Sequence, residues 1–182
     1  MMRLKYILLV AFCGVYLPQM TASTPAEKLI KRLQKIEKAG IMIGHQAEPM
    51  YGTTWKWEKD RSDIKETCGD YPALMGFELG HLELDSLRNL DGVPFALIRE
   101  QTLEQYERGG VVEISWHPTN PVTTKSAWDP SGNAVREILR GGKENAKFMS
   151  WLNKIGVFLL SLKTADGKLV PIIFRPWHEM SG

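Results

Sequence analysis

The chain has 182 residues, 43% hydrophobic and 24% charged. Aromatic residues are spread along it, which excludes a disordered chain and suits one globular domain or part of a larger one. The formal net charge is +2; leaving out Arg3 and Lys5 of the N-terminal segment gives 21 basic against 21 acidic residues, with no basic run, so nucleic acid is not an expected partner.

The first segment reads as a targeting signal. Arg3 and Lys5 precede an apolar run from Tyr6 to Leu17, Pro18-Gln19 breaks it, and Thr21-Ala22-Ser23 offers small residues for cleavage. That order predicts a secretory signal peptide over residues 1–23 and a secreted or periplasmic mature chain over 24–182. The run is too short to cross a bilayer, which needs roughly twenty residues, so no membrane span is expected after cleavage. Cys13 lies inside the signal behind the bulky Phe12, which does not suit lipidation. Cys68 is then alone, and no disulfide framework is expected within the chain.

From Pro25 to Lys38 the spacing of Leu29, Ile30, Leu33 and Ile36 predicts a helix, capped by Thr24 and ended by Ala39-Gly40. Ile41 to Gln46 reads as a short buried strand. A polar and aromatic stretch with Trp55 and Trp57 leads to a second apolar run, "PALMGFELGH", ending in Glu78 and His81. Ile98 to Arg108 reads as a helix stopped by Gly109-Gly110, and "VVEISWHP" as a third strand ending in Trp116-His117-Pro118. A polar loop with Trp128 follows, then a helix from Glu144 to Leu162, the turn "TADGK", and a fourth strand from Val170 to Phe174. Alternating helices and near-continuous apolar strands predict an α/β fold with a parallel sheet covered by helices. No glycine-rich phosphate loop occurs.

The four histidines share one topological position. His45, His81, His117 and His178 each lie at or just beyond the C-terminal end of a predicted strand. In parallel α/β folds those ends form the rim where active sites are built. His178-Glu179 resembles the start of an H-E-x-x-H zinc helix, but residue 182 is Gly and the pair follows a strand, so that motif is excluded and neither metal nor cofactor is expected. No G-x-S-x-G elbow points to a serine hydrolase.

Carboxylate chemistry suits the residues better. Glu179 stands at a strand end beside His178, with Trp55, Trp57, Trp116, Trp128 and Trp177 in or near the rim loops. Flat aromatic faces stack on sugar rings, and a carboxylic acid partly shielded from water stays protonated and donates to a leaving oxygen; these are the parts of a glycosidase. An ion pair or cap at the strand end is the alternative role for Glu179.

"FRPWHEMSG" resembles the acid/base segment of glycoside hydrolase family 26. "ISWHPTNP" resembles the family's third-strand segment, and "GHQ", "SDIKETCGDYPALMGFELGHLELD" and "SAWD" resemble stretches of its mannan-degrading members. The resemblance covers nearly all of residues 41–182. It implies a (β/α)8 TIM barrel, retaining hydrolysis, and β-1,4-mannan as the commonest substrate. By position it makes Glu179 the general acid/base and His178 its neighbour that contacts the sugar or orients the nucleophile. His117 becomes a substrate contact, and Trp128, Glu78 and His45 lie in segments of the cleft. Trp177 stands where Leu or Phe is common and reads as packing first, sugar contact second. The family's nucleophile is a Glu at the end of strand seven. No residue here matches it, and Glu48, Glu78, Glu83 and Asp85 lie on earlier strands. A barrel takes roughly 250 residues, so the expectation is its first four βα units, a truncated sequence inactive and unstable alone. The same fold acting on β-glucan or xylan, and a non-catalytic carbohydrate-binding remnant, are the competing readings.

Overall fold

The structure, a computed structural model, describes residues 23–179. The expected signal peptide, with Cys13, lies outside the described residues apart from Ser23. Helix α1 runs Pro25–Ala39, held at its start by a reciprocal cap in which Thr24 Oγ1 accepts from Glu27 N and Glu27 accepts from Thr24 N. Strand β1 is Gly44–Gln46, and a six-residue helix α2, Asp63–Cys68, is capped by Ser62. Then follow β2 (Leu74–Glu78), α3 (Phe95–Glu107), β3 (Val111–Trp116), α4 (Ala134–Ile138), α5 (Asn145–Leu160) and β4 (Ile172–Pro176). None of these helices is long and apolar enough to cross a membrane.

The four strands form one sheet in the order β1-β2-β3-β4, every pair parallel. A doubly wound sheet reverses its strand order at a switch point; a barrel adds each strand beside the last. The unbroken order is that of consecutive units of a (β/α)8 barrel, and this is the fold the resemblance implied.

Side chains alternate across each strand. Met75 and Phe77 of β2 and Val112, Ile114 and Trp116 of β3 join Phe95 and Ile98 of α3 and Phe148, Trp151, Ile155 and Phe158 of α5 in one buried core. The opposite face is polar. There Gln46 Nε2 donates to Ser115 Oγ at 3.3 Å, and Arg175 of β4 pairs with Glu113 of β3 at 2.7 Å. This is the face that a closed barrel encloses.

Three expectations change. The first strand is shorter than Ile41 to Gln46 and is exposed, with Ile41 91% and Ile43 68% accessible. Among the described residues it pairs with β2 alone, and of α1 only Leu29 is buried. The fourth strand begins at Ile172 instead of Val170. Val170 is buried, but its N–H closes a turn onto Leu162 O. Helices α2 and α4 had no periodic signal, because five or six residues complete too few turns to show one.

Candidate active site

The C-terminal ends of β2, β3 and β4 bring Glu78, His117 and the segment Trp177-His178-Glu179 together. The registers Glu78↔Ser115 and Trp116↔Pro176 place the residues that follow side by side. Glu78 is only 4% exposed. Its Oε1 accepts from Gly80 N at 2.7 Å and from His117 N at 2.8 Å; its Oε2 accepts from Ser115 Oγ at 2.7 Å and lies 3.0 Å from His117 Nδ1. Asn89 Nδ2 donates to the Glu78 carbonyl at 3.1 Å and fixes the strand end from the other side. Gly80 must be glycine for this approach, since a Cβ there would meet the His117 carbonyl oxygen at 2.9 Å.

A second buried carboxylate works on the same loop. Glu83, in the 3-10 turn Leu82–Leu84, accepts from Trp116 Nε1 at 3.0 Å and from Thr119 N at 2.8 Å. The segment after β2 thus grips the chain on both sides of His117.

His117 faces two carboxylates. Nδ1 meets Glu78, and Nε2 lies 3.5 Å from Glu179 Oε2. The His178 ring packs edge-on against it, with centroids 4.0 Å apart. Burial is the main cause that pushes the His178 imidazole below its usual range; His117 and Arg175 add to it, and Glu78 and Glu179 oppose it. His178 Nδ1 is buried with no hydrogen-bond partner among the described residues. Glu179 itself is about half exposed, its side chain 53% accessible, so the partial shielding expected for it is not supplied by the described residues. Trp177 and Glu179 have φ of 50° and 65°, left-handed values that cost an L-residue about 1–2 kcal/mol each. Such strain collects where side chains must be aimed at a site.

A cavity of about 660 Å³ opens in front of these groups. His117, His178 and Glu179 form one wall; Trp128, Trp177, Val135, Ile138 and Phe148 supply aromatic and apolar surface. Trp177 packs on Trp116 (5.9 Å) and Phe148 (6.1 Å) while staying 43% exposed. Trp128 is 65% exposed, its ring 6.4 Å from His117. The loop that carries it is internally bonded. Asn120 Nδ2 donates to Asp129 O and Ser131 O, and its Oδ1 accepts from Val122 N and Thr123 N. Hydrogen bonds from Ser131 and then Thr123 hold the Asp129 carboxyl down at about 2.

Of the residues singled out in the sequence, His117, His178, Glu179 and Trp128 share this cavity. Glu78 lies behind His117, away from the cavity wall, and contacts the histidine where a cleft residue would contact sugar. His45 is exposed on β1, its Nδ1 on the Gln46 carbonyl, and does not line the cavity; β2 lies between its strand and β3. His81 follows β2 in a left-handed conformation, φ 77°, outside the cavity wall. Glu83, Ser115 and Asn120 were not anticipated as site residues. Asn120 beside Pro121 carries a turn signal, whereas nothing local marks Glu83 or Ser115.

Glu78, His117 and His178 offer ligand atoms within 4.8 Å of one another. The Glu78 oxygens are already engaged by backbone and side-chain donors, so the cluster is arranged as a hydrogen-bonded network. Chemically, the site combines a carboxylate on a partly apolar wall, a histidine within reach of it, and exposed indole faces. That set suits proton transfer to an oxygen of a ligand whose flat faces stack on tryptophan.

Residues 18–182 match the profile of Glycosyl hydrolase family 26. A mannan endo-1,4-beta-mannosidase of Bifidobacterium adolescentis is 29% identical over 93% of this chain and 17% of its own length. Another, from Bacillus subtilis, is 26% identical over 68% of this chain and 34% of its own. Among solved structures, a family 26 β-mannanase from Bacteroides ovatus superposes with a TM-score of 0.85 at 44% identity, covering 88% of this chain and 47% of that one. A modular endo-β-1,4-mannanase from Cellulomonas fimi gives 0.77 at 32% identity over 88% and 37%. The chain therefore spans less than half the length of these relatives.

Proposed function

We propose, from the premise that this chain belongs to glycosyl hydrolase family 26, that it forms part of a retaining hydrolase of β-1,4-mannosidic bonds with Glu179 as general acid/base. The observation that carries the reading is the position of Glu179 on the cavity wall, 3.5 Å from His117 Nε2, in a cavity that the exposed Trp128 also lines. The printed activities of the mannanase relatives support the sugar.

In this reading a mannan chain lies along the cavity with sugar faces against Trp128 and Trp177. Glu179 gives its proton to the glycosidic oxygen as the bond breaks. It then takes a proton from the water that opens the covalent intermediate. That intermediate needs a second carboxylate about 5–5.5 Å away, which the family resemblance assigns to a later barrel strand. The basic start and apolar run of residues 1–23 support export of the mature chain.

The test is hydrolysis of mannan, β-glucan and xylan by a version of the protein carrying all eight βα units. Activity on mannan with retained anomeric configuration is expected. Glu179→Ala is expected to lower it by about 10²–10⁴-fold, the usual worth of a positioned proton donor. Aryl mannosides, whose leaving groups need no proton, are expected to lose far less in the first step. Near-normal hydrolysis of mannan by the variant rejects the assignment; preference for glucan or xylan rejects the sugar.

A further inference from the structure

Glu78 is a buried carboxylate that does not line the cavity in front of His117, yet its side chain has a strict arrangement. The Gly80 and His117 amides can only donate, and both point at Oε1. Ser115 Oγ receives the Gln46 side-chain amide at 3.3 Å, and its one hydrogen has two acceptors in reach, the Phe77 carbonyl at 3.2 Å and Glu78 Oε2 at 2.7 Å; the shorter contact, to a charged oxygen, takes it. Every group around the carboxylate is therefore a donor, and nothing there accepts a proton from it. The atom of His117 that faces Oε2 must then carry a hydrogen, which assigns the proton to Nδ1. In the neutral ring Nε2 is then bare.

We propose that Glu78 is a positioning residue: it locks His117 in the Nδ1–H tautomer and so presents an unprotonated Nε2 to Glu179. The inference rests on reading Glu179 as the acid/base. A bare Nε2 offers no N–H to Oε2 of Glu179, so the histidine does not hold that side chain as its carboxylate, and the acid's single proton is left for the glycosidic oxygen. The opposite tautomer would aim an N–H at Glu179 and favour the carboxylate, the wrong form for the first step. The 3.5 Å separation is at the outer limit of a hydrogen bond, as catalytic contacts often are before substrate closes on them. The anchoring is rigid because the residues on both sides are tied down: Trp116 and Thr119 by Glu83, and Glu78 itself through Asn89.

The test is a long-range proton–nitrogen NMR correlation on the uniformly nitrogen-labelled protein carrying all eight βα units, above the pH at which imidazole is charged. His117 is assigned by its loss in His117→Gln. The expected result is a pyrrole-type Nδ1 and a pyridine-type Nε2. A protonated Nε2, or averaged shifts for the two nitrogens, overturns the proposal. In Glu78→Gln the amide places an NH₂ toward either Nδ1 or the two backbone donors. His117 is then expected to lose its single tautomer while the backbone signals of α5 stay in place. A retained Nδ1–H tautomer in that variant also overturns it, and if the variant does not fold the unsubstituted chain decides alone. Hydrolysis assays of Glu179 variants test the acid/base reading separately, since the tautomer does not depend on their outcome.

Discussion

His117 Nε2 and Glu179 Oε2 face each other at 3.5 Å from the ends of neighbouring strands. The parallel register Trp116↔Pro176 brings them there. The next residue of β3 is the histidine; after β4 the chain takes a left-handed step at Trp177 and another at Glu179 before the carboxylate turns in. The pair depends on a strand alignment and two unusual backbone angles, and on no local motif.

Trp128 is expected to serve the ligand and not the fold. Its side chain is 65% exposed, so Trp128→Ala should change stability by no more than about 0.5 kcal/mol. Losing an aromatic stacking face is worth about 0.5–1.5 kcal/mol, which is about 2–10-fold in affinity. Calorimetric titration of the version carrying all eight βα units with a linear β-1,4-manno-oligosaccharide reads this directly. An unchanged dissociation constant removes Trp128 from the site.

Glu83 is expected to be structural. In Glu83→Leu the Trp116 indole N–H and the Thr119 amide lose their acceptor inside the protein. Each stranded buried donor costs about 1–3 kcal/mol. A domain of this size loses roughly 2–4 °C of Tm per kcal/mol, so melting followed by circular dichroism should drop by several degrees. Glu83→Gln, which keeps an acceptor oxygen, should fall between. A Leu variant melting with the unsubstituted protein shows that the clamp adds nothing.

His178 sets a pH dependence. Burial, helped by His117 and Arg175, keeps its folded imidazole below the value of 6.5 that an unfolded chain has. Between the two values the unfolded chain holds more protons, so stability rises with pH there. The contribution is complete above 6.5 and is lost as pH falls through the folded value. Urea unfolding at pH 5 and pH 7.5 should show a smaller acid loss for His178→Gln than for the unsubstituted chain. A His178 ring signal that titrates at or above 6.5 in NMR contradicts the prediction.

Much of the architecture was legible because the apolar runs are separated by polar loops and periodic helices. Leu74–Glu78 and Val111–Trp116 are buried on the helix side and read as strands. Helix α5 buries Phe148, Trp151, Ile155 and Phe158 at helical spacing. Placing all four histidines at strand ends put them on one rim, and of these His117 and His178 meet. His45 carried the same signal, yet it lies exposed on β1 and apart from the other two, because a pattern of strand ends does not show which rim residues meet. The packing role of Glu78 was hidden for a related reason. A carboxylate at a strand end looks the same in sequence whether it faces a cavity or accepts four hydrogen bonds behind a histidine.

The sequence by itself therefore determined the α/β class, the order of the elements and the segment that delivers Glu179, since these rest on hydrophobic period and short contiguous motifs. Tertiary structure alone decided which side chains meet. Glu78, Ser115, His117 and Glu179 come from three strands, and only the register and twist of a parallel sheet bring their polar atoms within hydrogen-bonding reach.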